Sequence, residues 1–270
     1  MRMTDITRDS NVRYDQQATQ TFVASFLCKL GIEPETTLLF HSSFSQLSRQ
    51  GYSAELFLES IVKFLKDGTL ALPTLSWREV SPIQPRWNES TTCTNVGVLS
   101  EVFRTKFADR RSLHPTHSVA AIGKQTDYLL KDHHLDVRPC SDKSPWGKLT
   151  NVEANILMMG VDMDTCTLIH HLEETYAPEL YLLEPVESYL CESKNSLSIE
   201  VNTRRHRKLY RNFYKFRDLL YQQGQLKRVD VEGYIIFAFK ALDLVSCVTK
   251  EFEKTTSATL AKPGELSKWM

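Results

Sequence analysis

Short apolar runs alternate with segments of helical period along most of this 270-residue chain, and that alternation leaves few folds open. Residues 19–30 carry apolar side chains at helical spacing and stop at Gly31. A glycine just past the last periodic residue is a usual helix stop. Residues 37–40 read as a strand ending in His41, Ser42 and Ser43, and 53–65 as a helix capped by Ser53. Further on, 70–72 and 119–122 read as strands, and 96–107 and 126–133 as helices. The run Ile156, Leu157, Met158 and Met159 before Gly160 is apolar throughout, as in a strand covered on both faces, and 167–176 returns to helical spacing. Elements in this order predict an α/β fold built on a layered sheet. Residues 185–201 look strand-like, and 212–223 and 234–252 helical. One domain over 1–270, with a small C-terminal lobe from about 185, accounts for the pattern. Residues 77–95 show neither period and predict a long irregular loop, the kind that commonly carries function.

Composition removes several classes of function. The 33 Lys and Arg balance the 33 Asp and Glu, so net charge points neither to nucleic acid nor to a polybasic membrane surface. No apolar run approaches the roughly 20 residues that span a bilayer. The polar start MRMTDITRDSN lacks the apolar core of a signal peptide, which predicts a cytoplasmic protein. Six scattered cysteines without a CxxC pair predict reduced thiols, with neither a disulfide framework nor a structural zinc site.

The chemistry concentrates in MMGVDMDTCTLIHHLEE, residues 158–174. It follows the buried strand with turn and cap residues and then places His170 three positions before Glu173, on one face of a helix near its start. That pairing suits a base and the carboxylate that orients it. HHxE does not match the HExxH spacing of zincins, so no metal is expected there. GxSxG, GxxxxGKS and GxGxxG are all absent, which leaves a histidine-based transferase or hydrolase. Two further segments bear on ligands. His41, Ser42 and Ser43 end a strand at the sheet edge where open α/β folds bind ligands, although the same residues make ordinary polar turns. The stretch RRSLHPTHSVAAIG at 110–123 suits an anionic ligand, or else His114 and His117 serve to fix the loop around Pro115.

Taken together these segments resemble the aminoglycoside 3-N-acetyltransferase family, the antibiotic acetyltransferases distinct from the GNAT group. HSSFSQL at 41–47 resembles its HSSL element, GTLALPTLSW at 68–77 its GTLVMPTFSW strand, and RRSLHPTHSVAAIG its RSxHPxxSxAAxG loop. SPWGKL at 144–149 is similar to the SPxxrL turn, and ILMMGVDMDTCTLIHHLEE to LLLGVxxxxNTxLHxAE. The resemblance implies a three-layer α/β/α sandwich with a mixed central sheet. It further implies acetyl-CoA as co-substrate and direct transfer of the acetyl group to a small-molecule amine acceptor, an aminoglycoside or related amino sugar. His170 falls on the family's catalytic histidine and Glu173 on the carboxylate that follows it, while His171 falls on a variable position. The coenzyme would lie along His41, Ser42, Ser43, Thr74, Arg111, Ser112, His117, Ser118 and Val119. Glu79 and Asp142 are candidate contacts to the acceptor's ammonium groups. In place of the family's FDPxxTP segment stands WNESTTCTNVG at 87–97, and Cys166 replaces the Asn of NTxLH. That divergence predicts a changed acceptor pocket under residues 77–95. The alternatives are an acyltransferase of natural-product biosynthesis using another thioester or amine, and a non-catalytic ligand-binding relative, against which the pairing of His170 with Glu173 speaks.

Overall fold

Strands whose side chains alternate between two apolar surroundings need a covering layer on each face, and the central strands of this protein's sheet meet that condition. A computed structural model describes residues 14–231, 233–265 and 268–269; the polar start at residues 1–11 lies outside them. The first half contains α1 (Gln16–Lys29), β1 (Thr37–Ser42), α2 (Ser45–Arg49), α3 (Ala54–Phe64), β2 (Thr69–Pro73), β3 (Arg86–Asn88), α4 (Val98–Lys106), β4 (Arg110–Arg111), β5 (Val119–Gly123) and α5 (Thr126–Leu130). The second contains α6 (Pro145–Lys148), β6 (Asn155–Met159), α7 (Leu168–Tyr176), α8 (Pro178–Tyr181), β7 (Glu187–Glu192), β8 (Ser198–Thr203), β9 (Tyr210–Arg211), α9 (Tyr214–Gln222), β10 (Lys227–Val231), β11 (Tyr234–Lys240), α10 (Ala241–Phe252) and β12 (Lys268–Trp269).

Seven strands form the main sheet in the order β10-β11-β6-β1-β2-β5-β4. The central β6, β1 and β2 run parallel, and antiparallel strands flank them on both sides. Leu38, Phe40, Leu70, Leu72, Leu157, Met159, Ile236 and Ala238 join one core with α1, α3 and α4. Leu39, Ala71, Ile156, Met158, Phe237 and Phe239 join the other with α5, α6, α7, α9 and α10. The fold is thus a three-layer α/β/α sandwich with a mixed central sheet. Gly31 follows α1 as expected, at φ +69°, while the helix starts earlier than its apolar spacing showed, with Asp15 Oδ1 accepting from Ala18 N (2.8 Å).

Three expectations about the elements change. Residues 234–252 are not one helix: the first seven form β11 and only Ala241–Phe252 is helical. Tyr234, Ile236 and Ala238 face one layer while Phe237 and Phe239 face the other, a period of two that the uniformly apolar run conceals. The loop at 77–95 is not irregular throughout, because β3 pairs in parallel with β7, and β8 completes a separate three-stranded sheet. Trp87 and Val80 pack there against Tyr189, Cys191 and Val201. The strands after residue 185 divide among three sheets, since β7 and β8 belong to the small one, β9 pairs with β12, and β10 and β11 extend the main one beside β6.

Candidate active site

The parallel strands β1 and β6 end side by side, and the chain turns from β6 into α7 at that edge. Gly160 sits at φ +65°, and a Cβ there would come within 2.9 Å of Ser43 O. A side chain at this position would be both strained and crowded, and the Ser43 amide donates across the gap to Met159 O (2.8 Å). Asp162 Oδ1 accepts from Met163 N, a short 3-10 turn over Met163–Thr165 follows, and α7 then carries His170 back over the strand ends.

His170 Nδ1 lies 2.7 Å from Glu173 Oε2. A carboxylate accepts, so the hydrogen sits on Nδ1 and leaves Nε2 bare to take a proton. Glu173 is itself fully buried. Its Oε1 accepts from Arg211 Nε (2.9 Å) and Thr259 Oγ1 (2.5 Å), and Oε2 from Arg211 Nη2 (3.1 Å). Burial alone would raise the Glu173 carboxyl, but His170 and Arg211 outweigh it and hold it below the ordinary range. The anion is therefore permanent at neutral pH and fixes both the tautomer and the orientation of His170. His171 turns away, with its Nδ1 2.7 Å from Cys140 O.

A cleft of about 170 Å³ opens at the same edge, lined by Phe40, His41, Ser42, Pro73, Leu75, Val96, Ser100, Val161, Thr165 and Thr167. Thr167 is the N-cap of α7 and makes no side-chain cap bond. Among the described residues His41 Nε2 has no hydrogen-bond partner, and burial pushes its imidazole down to about 3. Ser43 places its hydroxyl 3.4 Å from Ser45 Oγ.

The other residues expected to touch a coenzyme have partners within the protein. Arg111 is buried, and its guanidinium donates to Thr92 O (2.6 Å), Thr74 O (2.7 Å) and Ser118 Oγ (3.0 Å), stacked 4.8 Å from the Trp87 ring. Ser118 Oγ also donates to Thr74 O (2.8 Å), and Thr74 Oγ1 lies 3.2 Å from it. Ser112 Oγ accepts from Val119 N (2.9 Å) and lies 2.8 Å from His133 Nδ1. Val119 packs into the core. The sequence could not separate a phosphate-binding arginine from one that ties the loop at 77–95 to β2, because both use the same donors. His114 and His117 follow the loop-fixing alternative in part. His114 Nδ1 accepts from His117 N (3.0 Å) and Thr116 N (3.3 Å), while the His117 ring meets His206 at 4.8 Å. Of the two acceptor carboxylates, Asp142 is exposed and 3.7 Å from His171 Nε2; Glu79 is exposed on the loop after β2.

His206 completes the edge. Its ring lies 4.4 Å from that of His170, tilted by 31°, and its Nε2 lies 2.8 Å from Glu174 Oε1 at angles poor for a hydrogen bond. Glu174, buried beside Glu173, is pushed well above the ordinary range mainly by burial and accepts from Cys140 N (2.8 Å). Burial also holds His114, His117 and His206 well below 6.5, with neighbouring imidazoles adding to it, and pushes His133 to about 3. With His41 this makes five imidazoles that stay neutral in the fold but take a proton near 6.5 once unfolded. Their contribution to stability is complete above about 6.5 and is lost as pH falls below it. Each adds about 1.4 kcal/mol per pH unit, so the melting temperature is expected to drop by roughly 10 °C or more between pH 7.5 and 5.5. Calorimetric melts across that interval check it, and a flat profile would show that these rings protonate without unfolding.

Residues 39–253 match the family described as Aminoglycoside 3-N-acetyltransferase. The chain belongs to that family. The SPbeta prophage-derived aminoglycoside N(3')-acetyltransferase-like protein YokD of Bacillus subtilis (strain 168) is 27% identical over 176 residues, covering 57% of this chain and 64% of YokD. The chain thus spans less than two-thirds of that relative's length in the alignment. By fold it is similar to aminoglycoside acetyltransferase AAC(3)-IVa, solved as a mutant in complex with apramycin (TM-score 0.70, 21% identity, 93% of this chain and 96% of that one). It is likewise similar to AAC-IIIb, solved as a binary with CoASH (TM-score 0.71, 17% identity, 93% and 100%).

Within this member of the aminoglycoside 3-N-acetyltransferase family, the site draws on residues that the motifs did not single out. Arg211, Thr259 and His206 come from the C-terminal third. The one available signal for Arg211 was the basic run RRHRKLYR in a chain of balanced charge, since any of its cations that the fold buries needs an anion.

Proposed function

We propose that the protein is a coenzyme A-dependent N-acetyltransferase that moves the acetyl group of acetyl-CoA to an amine of an aminoglycoside or related amino sugar. The observation that carries this reading is the His170–Glu173–Arg211 line at the ends of β1 and β6, with the proton-accepting Nε2 bare. An imidazole whose Nε2 carries no hydrogen can take the proton of the attacking amine. The new C–N bond forms as His170 Nε2 gains that proton. When the C–S bond breaks, the imidazolium returns it to the departing thiolate, so the products are the amide and free CoASH. Glu173 stabilises the transient imidazolium without accepting the proton itself.

The acyl-pantetheine arm fits the cleft of Ser42, Thr165 and Thr167, where the uncapped start of α7 and the unpartnered His41 Nε2 offer polar contacts. Asp142, beside His171, is placed to receive an acceptor ammonium. The family membership and the relatives solved with CoASH and with apramycin support the donor and acceptor classes. No helix among the described residues is long and apolar enough to cross a membrane, which fits a cytoplasmic enzyme.

Binding is tested by thermal shift. Coenzyme at about a hundred times its dissociation constant is expected to add about 2.7 kcal/mol to stability, read as a rise of several degrees. No rise at millimolar coenzyme A would remove the reading. A panel of aminoglycosides and simpler amino sugars, followed by free-thiol release, then identifies the acceptor.

A further inference from the structure

We propose that His117, Cys140 and His206 form a binding site for a divalent cation of the Zn²⁺ class, next to His170. The three residues come from separate parts of the chain: the loop before β5, the turn before α6 and the segment before β9. One ligand-capable atom of each nevertheless lies within 4.8 Å of the other two. Donors around tetrahedral zinc, bonded at about 2.0–2.3 Å, stand about 3.3–3.8 Å apart. Side-chain shifts on the order of 1 Å therefore close the site around an ion.

The donor chemistry selects the ion. Two imidazoles and a thiol favour zinc and its borderline-soft neighbours over magnesium or calcium, which seek oxygen. Outer partners are already in position. His117 keeps Nδ1 against Thr116 Oγ1 (2.8 Å), which leaves its other nitrogen for the ion. Glu174 Oε1 stands 2.8 Å from His206 Nε2, and a turn of the His206 ring would align the two as carboxylates stand behind metal-bound histidines. The same carboxylate grips the Cys140 amide (2.8 Å). On binding, the Cys140 thiol releases its proton to solvent as the metal–sulfur bond forms.

The His206 ring lies 4.4 Å from that of His170, so an ion held by His206 sits beside the base. Its charge repels a proton arriving on His170. Metal and acetyl transfer then exclude one another. This consequence rests on His170 as the base; the binding itself does not.

Titration of the reduced, metal-stripped full chain with Co²⁺ is expected to give thiolate-to-cobalt charge-transfer absorption that saturates at one equivalent and is displaced by Zn²⁺. Cys140→Ser should abolish the band, and His206→Asn should weaken Co²⁺ binding at least tenfold with the circular dichroism unchanged. Absence of the band, or a band that survives Cys140→Ser, overturns the site. Should Cys140→Ser fail to fold, undiminished affinity in His206→Asn overturns it equally. In a parallel assay of thiol release, Zn²⁺ at saturation is expected to stop turnover and a chelator to restore it. Binding without inhibition would leave the site standing and refute its effect on His170.

Discussion

His170→Ala is expected to lower the turnover number about a hundredfold or more, the usual loss when a general base is removed, while coenzyme affinity changes little. The side chain is 15% exposed, and among the described residues its hydrogen bond is to Glu173, with ring contacts to His206 and Phe213, so the fold should persist. His171→Ala should be much milder, because that ring points to Cys140 O. Glu173→Gln should fall between the two in rate. It should also melt earlier than His170→Ala, since Arg211 would then be a buried cation without its anion. Thiol release at saturating amine measures the rates. Near-normal turnover in His170→Ala, with loss in His117→Ala, would move the base to the loop at 110–123.

Arg111→Ala is expected to destabilise the protein by roughly 3 kcal/mol or more. It leaves the half-buried Thr92 O without its donor, at about 1–3 kcal/mol for an acceptor left unpaired, takes one of two donors from Thr74 O, which keeps Ser118 Oγ, and opens a void beside Trp87. The guanidinium joins the end of β2 to the loop that carries β3, so the acceptor side of the site should loosen with it. Urea unfolding checks the size of the effect. An unchanged midpoint together with weakened coenzyme binding would return Arg111 to the cleft.

How much of this was legible varies with the range over which each feature is written. The β6–turn–α7 unit is local: an apolar strand, Gly160, cap residues and His170 three positions from Glu173 lie within twenty residues, and pattern plus resemblance recovered them together. The partners of Glu173 are not local. Arg211 and Thr259 approach it only because β9 and the segment after α10 fold back across α7, and no spacing records that. The same limit applies to His117, Cys140 and His206, whose separation in sequence resembles no metal motif. β11 was missed for another reason. A strand buried on both faces shows one continuous apolar run, and where a helix follows at once the run reads as its first turns.

The position of β11 also bears on how the chain reaches this structure. β11 lies against β6, with Ile236 opposite Met159 and Lys240 opposite Asn155, some eighty residues later in the chain. During synthesis the edge of β6 therefore stays open after the residues of the site have already emerged. An open hydrophobic strand edge is a template for pairing with other chains, and contacts of such long range form slowly. A nascent chain halted between Glu173 and Arg211 would hold His170 and Glu173 beside an unpaired strand and without Arg211. The ion pair can form once Arg211 emerges, whereas closure of the sheet waits for β11, and a shortened C-terminus would yield an aggregating chain in preference to a weakened enzyme.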